Sequence, residues 1–185
     1  PPGRSSVNVV KTKLEGVVVI EPTVFGDDRG FFLESYHQRH YAEAGIHASF
    51  VQDNHSRSER GVLRGLHFQK TKPQGKLVRV TNGEVYDVAV DVNPYSKTFA
   101  QWIGVNLSSE NHKLLYVPPG YAHGFVVLSE SADFQYKCTE FYDVSDEGGI
   151  AWDDGTLSID WPIKNPVLSD KDIRLPSLKE HVSAT

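Results

Sequence analysis

The chain has 185 residues, 39% of them apolar and 23% charged, which fits one domain with a sizeable core and excludes a disordered chain. A net charge of −5 argues against a general nucleic-acid binder, so any anion site must be made by a few local arginines and lysines. Cys138 is the only cysteine, which excludes a disulfide framework and a cysteine-based zinc site. No apolar run reaches the length of a membrane span and no signal-peptide pattern opens the chain. The expectation is a soluble, cytoplasmic protein whose N-terminus, Pro1-Pro2-Gly3 with no Met anywhere, has been processed or trimmed.

Residues 1–6 read as a loose tail within an N-terminal segment that extends to residue 13. Residues 14–20 form a short apolar strand ended by Glu21-Pro22. A turn-rich loop at residues 25–30 leads into a strand at residues 31–35. Residues 37–44 are the one good helix candidate, with Gly45 stopping it. Residues 50–56 begin as a strand and end in polar residues. Residues 76–80 and 84–92 flank Asn82-Gly83, which predicts a β-hairpin. Along its second arm Tyr86, Val88, Val90 and Val92 alternate with Val85, Asp87, Ala89 and Asp91. Further strands are expected at residues 101–107, 114–117, 124–128 and 133–141. From Asp153 onward Pro162, Pro166 and Pro176 limit regular structure, and residues 173–185 read as a tail. Many short strands with scarcely any helix make an all-β sandwich or barrel.

The central stretch is Gly61-Val62-Leu63-Arg64-Gly65-Leu66-His67-Phe68-Gln69. As a regular strand it sends Leu63, Gly65, His67 and Gln69 to one face and Val62, Arg64, Leu66 and Phe68 to the other. A histidine sharing a face with Gly65 suggests open space beside the ring, as a ligand needs. Arg64 on the opposite face needs a partner of its own. Taken alone, a strand histidine is more often a hydrogen-bonded core residue than a catalyst, although its titration near neutral pH suits acid–base work. Lys76, Tyr136 and Asp172 are suitable company for it, but each also reads as an ordinary surface lysine, strand residue or turn former, and spacing does not show that they meet.

Gly61-x5-His67-x-Gln69 together with Pro118-Pro119-Gly120-Tyr121-Ala122-His123 resembles the paired motifs of the cupin superfamily. That resemblance implies a small jelly-roll β-barrel with a ligand pocket inside and few short helices. Metal-binding cupins carry a second histidine where this chain has Gln69. His67 and His123 alone are too few good ligands for a strong site, so no metal is expected.

Six motifs in order extend the resemblance over residues 16–172. They are Phe-Gly-Asp-Asp-Arg-Gly-Phe-Phe-Leu-Glu-Ser (25–35), Phe-Val-Gln-Asp-Asn-His-Ser (50–56) and the central stretch. Gln-Gly-Lys-Leu-Val-Arg (74–79), Gly-Glu-Val-Tyr-Asp-Val-Ala-Val-Asp (83–91) and Ser-x-Lys-Asp (169–172) complete the series. The chain resembles the dTDP-4-dehydrorhamnose 3,5-epimerase family, isomerases that act on a nucleotide-linked 4-keto-6-deoxyhexose. The resemblance implies His67 as base, oriented by Asp172, Tyr136 as acid on the opposite face of the sugar, and Lys76 at the enolate oxygen. It implies Arg29 and Arg64 for the diphosphate, and Glu34, Gln52 and Asn54 as polar contacts to nucleotide and sugar. Phe25 or Tyr142 would lie on the thymine, and His123 near the sugar. It implies a homodimer whose N-terminal segment crosses to the partner, so that Phe25 and Arg29 serve the neighbouring site, and no cofactor. Three rivals remain at this stage. They are an epimerase of one carbon only, a sugar-binding cupin without catalysis, and a metal-dependent dioxygenase.

Overall fold

Strands with apolar residues on alternate positions need a second layer over their buried face. Residues 7–185 of the chain, described here by a computed structural model, meet that need with two antiparallel sheets packed against each other. The tail expected at residues 1–6 lies outside the described residues. The first third of the chain supplies β1 (Asn8–Lys11), β2 (Val18–Glu21), β3 (Val24–Asp27), β4 (Gly30–Leu33), α1 (Gln38–Glu43) and β5 (Gln52–Glu59). The centre supplies β6 (Leu63–Gln69), β7 (Lys76–Asn82), β8 (Glu84–Asp91), β9 (Trp102–Ser108) and β10 (Leu114–Val117). Then come β11 (Tyr121–Val127), β12 (Ser131–Cys138), a 3-10 turn, β13 (Glu147–Gly149), α2 (Asp170–Ile173) and α3 (Leu178–Ser183). One sheet runs β1-β2-β10-β7-β12-β5, the other β13-β6-β11-β8-β9, and among the described residues β3 pairs only with β4. This is the jelly-roll barrel expected from the sequence.

The Asn82-Gly83 turn is not the tip of a hairpin. β7 pairs with β10 and β12, whereas β8 pairs with β9 and β11. The turn, with Gly83 at φ +80°, therefore carries the chain from one sheet into the other. The physical reason is in the side chains. Val78 and Val80 of β7 face Val85 and Ala89 of β8 across the barrel interior, in one buried cluster with Phe125 and Phe134. Burying those faces against each other outweighs pairing the strands side by side.

The alternation expected along β8 holds, but both of its faces are covered. Val88, Val90 and Val92 pack outward against Leu157, Trp161 and Leu178 from the C-terminal stretch. That stretch is not a bare tail. Ser177 and Glu180 form a reciprocal capping box that starts α3, a spacing visible in the sequence. α1 occupies the expected place, with Tyr41 buried on the outer face of the six-stranded sheet and Gly45 at φ +97° ending it. Residues 8–11, expected as part of a loose segment, are a strand paired with β2. β5 runs on through the polar residues to Glu59 because it is an edge strand with one face to solvent.

Candidate active site

The barrel encloses a cavity of about 790 Å³ between β6 and β11 on one wall and β5, β7 and β12 on the other, within the size range of small-molecule sites. The wall that carries His67 is not a regular strand. His67 lies opposite His123 and Arg64 opposite Phe125, so β6 holds one more residue than β11 over that span. This bulge brings Arg64 and His67, expected on opposite faces, to the same cavity. Gly65 is what permits it. A Cβ there would stand 2.7 Å from both the Gly124 Cα and the His123 carbonyl oxygen, and its φ is +123°. Its missing side chain makes room for a neighbouring strand, not for a ligand, which corrects the reading from the sequence alone.

Asp172 reaches His67 from more than a hundred residues away because the C-terminal chain docks along β6. Val167 forms a parallel bridge with Val62, and Leu63 N–H donates to the Val167 carbonyl. Ser169 then caps α2, accepting from the Asp172 N–H. Asp172 Oδ1 accepts from His67 Nε2 at 2.6 Å, and Oδ2 accepts from the Gly65 N–H at 3.1 Å. Burial pushes the Asp172 carboxyl up, but the His67 hydrogen bond and charge and the Gly65 N–H together hold it below its ordinary value. A buried carboxylate that stays ionised fixes the imidazole tautomer and leaves Nδ1 for a substrate proton.

Lys76 and Tyr136 stand on the facing sheet, the ammonium 5.7 Å from the centre of the phenol ring. Burial lowers the Lys76 pKa, against the pull of Cys138, Asp87 and Glu147. Burial raises that of Tyr136, partly opposed by a hydrogen bond from Asn54. His123 is buried and donates to Asp87 Oδ1 at 2.8 Å, while Asp87 Oδ2 is buried with no hydrogen-bond partner among the described residues. Burial pushes the Asp87 carboxyl up, and His123 and Lys76 pull it down. Arg64 donates from Nε to Ser58 Oγ at 2.9 Å, and its side chain lines the cavity.

Eight of the residues singled out from the sequence line this one cavity: Asn54, Arg64, His67, Lys76, His123, Tyr136, Tyr142 and Asp172. Four do not. Gln52 sits behind Tyr142 and accepts from its N–H at 2.9 Å. Phe25 and Arg29 are on the β3–β4 hairpin, where Arg29 pairs with Asp27 at 2.6 Å. Glu34 pairs with His40 beside α1 at 2.7 Å. Glu34, His37 and His40 offer metal-ligand atoms within 4.8 Å of one another. The two rings stack face to face at 3.8 Å, however, and His37 Nδ1 accepts from the His40 N–H, so the group reads as a helix start and an ion pair.

Glu147 and Lys171, also on the cavity, escaped the sequence reading: no quoted motif holds Glu147, and Lys171 lies inside Ser-x-Lys-Asp but was given no role of its own. Glu147 accepts from Lys171 Nζ at 2.8 Å and from the Tyr142 hydroxyl at 2.8 Å. Asp87 had a signal: it is a carboxylate on the inward face of a strand buried on both sides.

The arrangement sets an oriented imidazole and a phenol on opposite walls with an ammonium beside the phenol, and arginine and aromatic groups at the rim. It can move protons on both faces of a ligand and stabilise an anion between them. Comparison with known proteins agrees. A curated relative from Shigella flexneri, a dTDP-4-dehydrorhamnose 3,5-epimerase, is 56% identical over 90% of this chain and 93% of its own. A Legionella pneumophila epimerase crystallised with dTDP-4-keto-L-rhamnose superposes with a TM-score of 0.90 at 51% identity, over 94% of this chain and 93% of that one. A 3′-monoepimerase from Streptomyces bikiniensis, crystallised with dTDP-quinovose, gives 0.87 at 32% identity over 93% and 89%. The sequence model described as dTDP-4-dehydrorhamnose 3,5-epimerase matches residues 11–180, from the first strand to the last helix, and the chain belongs to that family.

Proposed function

We infer that this protein is an isomerase that epimerises dTDP-4-dehydro-6-deoxy-D-glucose at C3 and C5, giving dTDP-4-dehydro-L-rhamnose in dTDP-L-rhamnose biosynthesis. The observation that carries the reading is the Asp172–His67 pair facing Tyr136 and Lys76 across one cavity. The protons on C3 and C5 are both α to the C4 ketone. His67 takes one of them, and the C–H electron pair moves onto the ketone oxygen as an enolate. Lys76 steadies that oxygen by charge and hydrogen bond. The enolate then collapses, and Tyr136 gives its hydroxyl proton to the opposite face of the same carbon. Exchange with solvent restores His67 and Tyr136. The ketone itself is the electron sink, so this chemistry asks for no cofactor and no metal.

The nucleotide end is held at the rim. Arg64 suits the diphosphate, whose oxygens match a guanidinium fork, with Asn54 and Gln52 as polar contacts and Tyr142 against the thymine. His123, held by Asp87, sits beside the sugar. Phe25, Arg29 and Glu34 lie away from their own cavity, on and just after a hairpin that pairs with no other strand among the described residues. That supports a homodimer in which this segment serves the neighbouring subunit. No helix among the described residues is long and apolar enough to cross a membrane, and the one cysteine is a buried free thiol, in keeping with work in the cytoplasm.

The test is NMR of the dTDP-4-keto sugar incubated with the protein in D2O. Deuterium at both C3 and C5, with product captured by a ketone reductase, is the expected result. Deuterium at one carbon only makes this a single-site epimerase. No exchange at all leaves a sugar-binding barrel and removes the catalytic roles together.

A further inference from the structure

We propose that Gln69 is a positioning residue for nucleotide binding, acting through Tyr142; the inference rests on the function proposed above. Gln69 is two residues beyond His67 on β6 and 4% exposed. Its side chain does not point a free amide at the ligand. Nε2 donates to the Lys72 carbonyl at 2.7 Å and to the Phe141 carbonyl at 3.2 Å, and Oε1 accepts from the Asp143 N–H at 2.7 Å. One amide thus grips the backbone on both sides of Tyr142 and ties that turn to the loop after β6.

Further polar ties flank the turn, from Gln74 Nε2 to the Glu140 carbonyl and from the Thr71 and Lys72 N–H groups to the Asp146 carboxylate, but none of these reaches the residues on both sides of Tyr142. Phe141, Tyr142 and Val144 are 64%, 49% and 74% exposed, so apolar packing does not set their place. Polar ties do. Besides Gln69, the Tyr142 N–H donates to Gln52 Oε1 and its hydroxyl to Glu147 Oε2. Of these, only Gln69 holds the residues before and after Tyr142 at once, and it does so from the rigid strand that carries His67. An aromatic ring at the cavity rim, held by hydrogen bonds that include those of a buried amide and not by apolar packing, is arranged to receive a flat base without reordering. The position at which metal-binding cupins carry a second histidine is here given over to holding this rim.

The experiment measures dTDP affinity by calorimetry, and kcat and KM with the dTDP-4-keto sugar, for the wild type, Gln69→Leu, Tyr142→Ala and the double variant. Melting temperatures identify folded samples, and Gln69→Glu, which keeps the acceptor but sets a carboxylate against two carbonyls, takes the place of Gln69→Leu if the latter does not fold. We expect Gln69→Leu to weaken dTDP binding and raise KM about tenfold while kcat stays within about threefold. In the Tyr142→Ala background the same change should add nothing, because its route has been removed. Unchanged dTDP affinity in the folded variant overturns the proposal. So does an effect that adds in full to that of Tyr142→Ala, or a fall in kcat with KM unmoved. Should the wild type itself fail to bind dTDP, the functional reading falls, and this inference falls with it.

Discussion

Lys76 and Tyr136 share one wall of the cavity, and burial moves their proton affinities in opposite directions. An uncharged group is favoured in both cases, which means a lysine that gives up its proton more readily and a tyrosine that holds its own more tightly. On the proposed chemistry Lys76 must be protonated to steady the enolate and Tyr136 must be protonated to deliver its proton. As pH rises, Lys76 therefore loses its charge below the ordinary lysine range and Tyr136 keeps its proton past the ordinary tyrosine range, and both shifts work toward the lysine failing first. Measured as kcat/KM against pH, the alkaline limb belongs to the lysine. Lys76→Arg keeps the charge to far higher pH, so a weakened but active variant should show that limb moved upward. A limb at the same pH in Lys76→Arg assigns the loss to another group.

At the scale of the element, the site depends on the bulge in β6. Without it, His67 and Arg64 would face opposite ways, the imidazole to the ligand and the guanidinium into the apolar side of the sheet. Gly65→Ala places a methyl group 2.7 Å from the Gly124 Cα and the His123 carbonyl, at a φ that L side chains rarely adopt. Neither neighbour is the end of a flexible side chain, so the strands must part. The expected cost is about 3 kcal/mol, a fall in melting temperature of about 10 °C. Activity should fall further than stability explains, because the separation moves His67 relative to Asp172. A variant with unchanged melting temperature and turnover would show that the strands yield without strain.

This element also marks how far the sequence could be read. Most strand positions, α1, the barrel class and eight of the residues around the cavity were legible, because apolar alternation, turn residues and ordered motifs are local signals; β1 and β3, short and half-exposed, were read as loose chain and loop. The bulge was not, since a glycine in a strand serves equally for a ligand, a bend or a close approach. The Asn82-Gly83 turn misled for a related reason. Its residues specify a tight reversal, but whether the two arms pair or face each other across a core is decided by strands far along the chain. Asp172 could be named from its motif, yet its route to His67 through the Val62–Val167 bridge is a tertiary fact.

At the scale of the whole molecule, one hairpin stands apart from both large sheets. Among the described residues the β3–β4 hairpin pairs only with itself and leaves Phe31 and Phe32 63% and 60% exposed, and its Arg29 side chain is 90% exposed. Large apolar side chains displayed on a two-stranded hairpin are costly in water unless something covers them. On the dimeric reading the partner does, and Arg29 completes the partner's diphosphate site. Arg29→Ala alone should then lower kcat/KM about ten- to a hundredfold, the loss expected for a charge-assisted contact. His67→Ala should abolish turnover. Co-expressing the two variants with different tags and purifying the mixed dimer separates exchange from self-service. If the hairpin crosses over, the cavity of the Arg29→Ala subunit keeps its own His67 and receives an intact Arg29 from its neighbour. One of two sites is then whole, and the mixed dimer should recover about half of wild-type activity. If each hairpin serves its own chain, one cavity lacks His67 and the other lacks Arg29, and the mixed dimer should do no better than Arg29→Ala. A protein that sediments as a monomer would remove the exchange altogether and leave Phe31 and Phe32 in need of another cover.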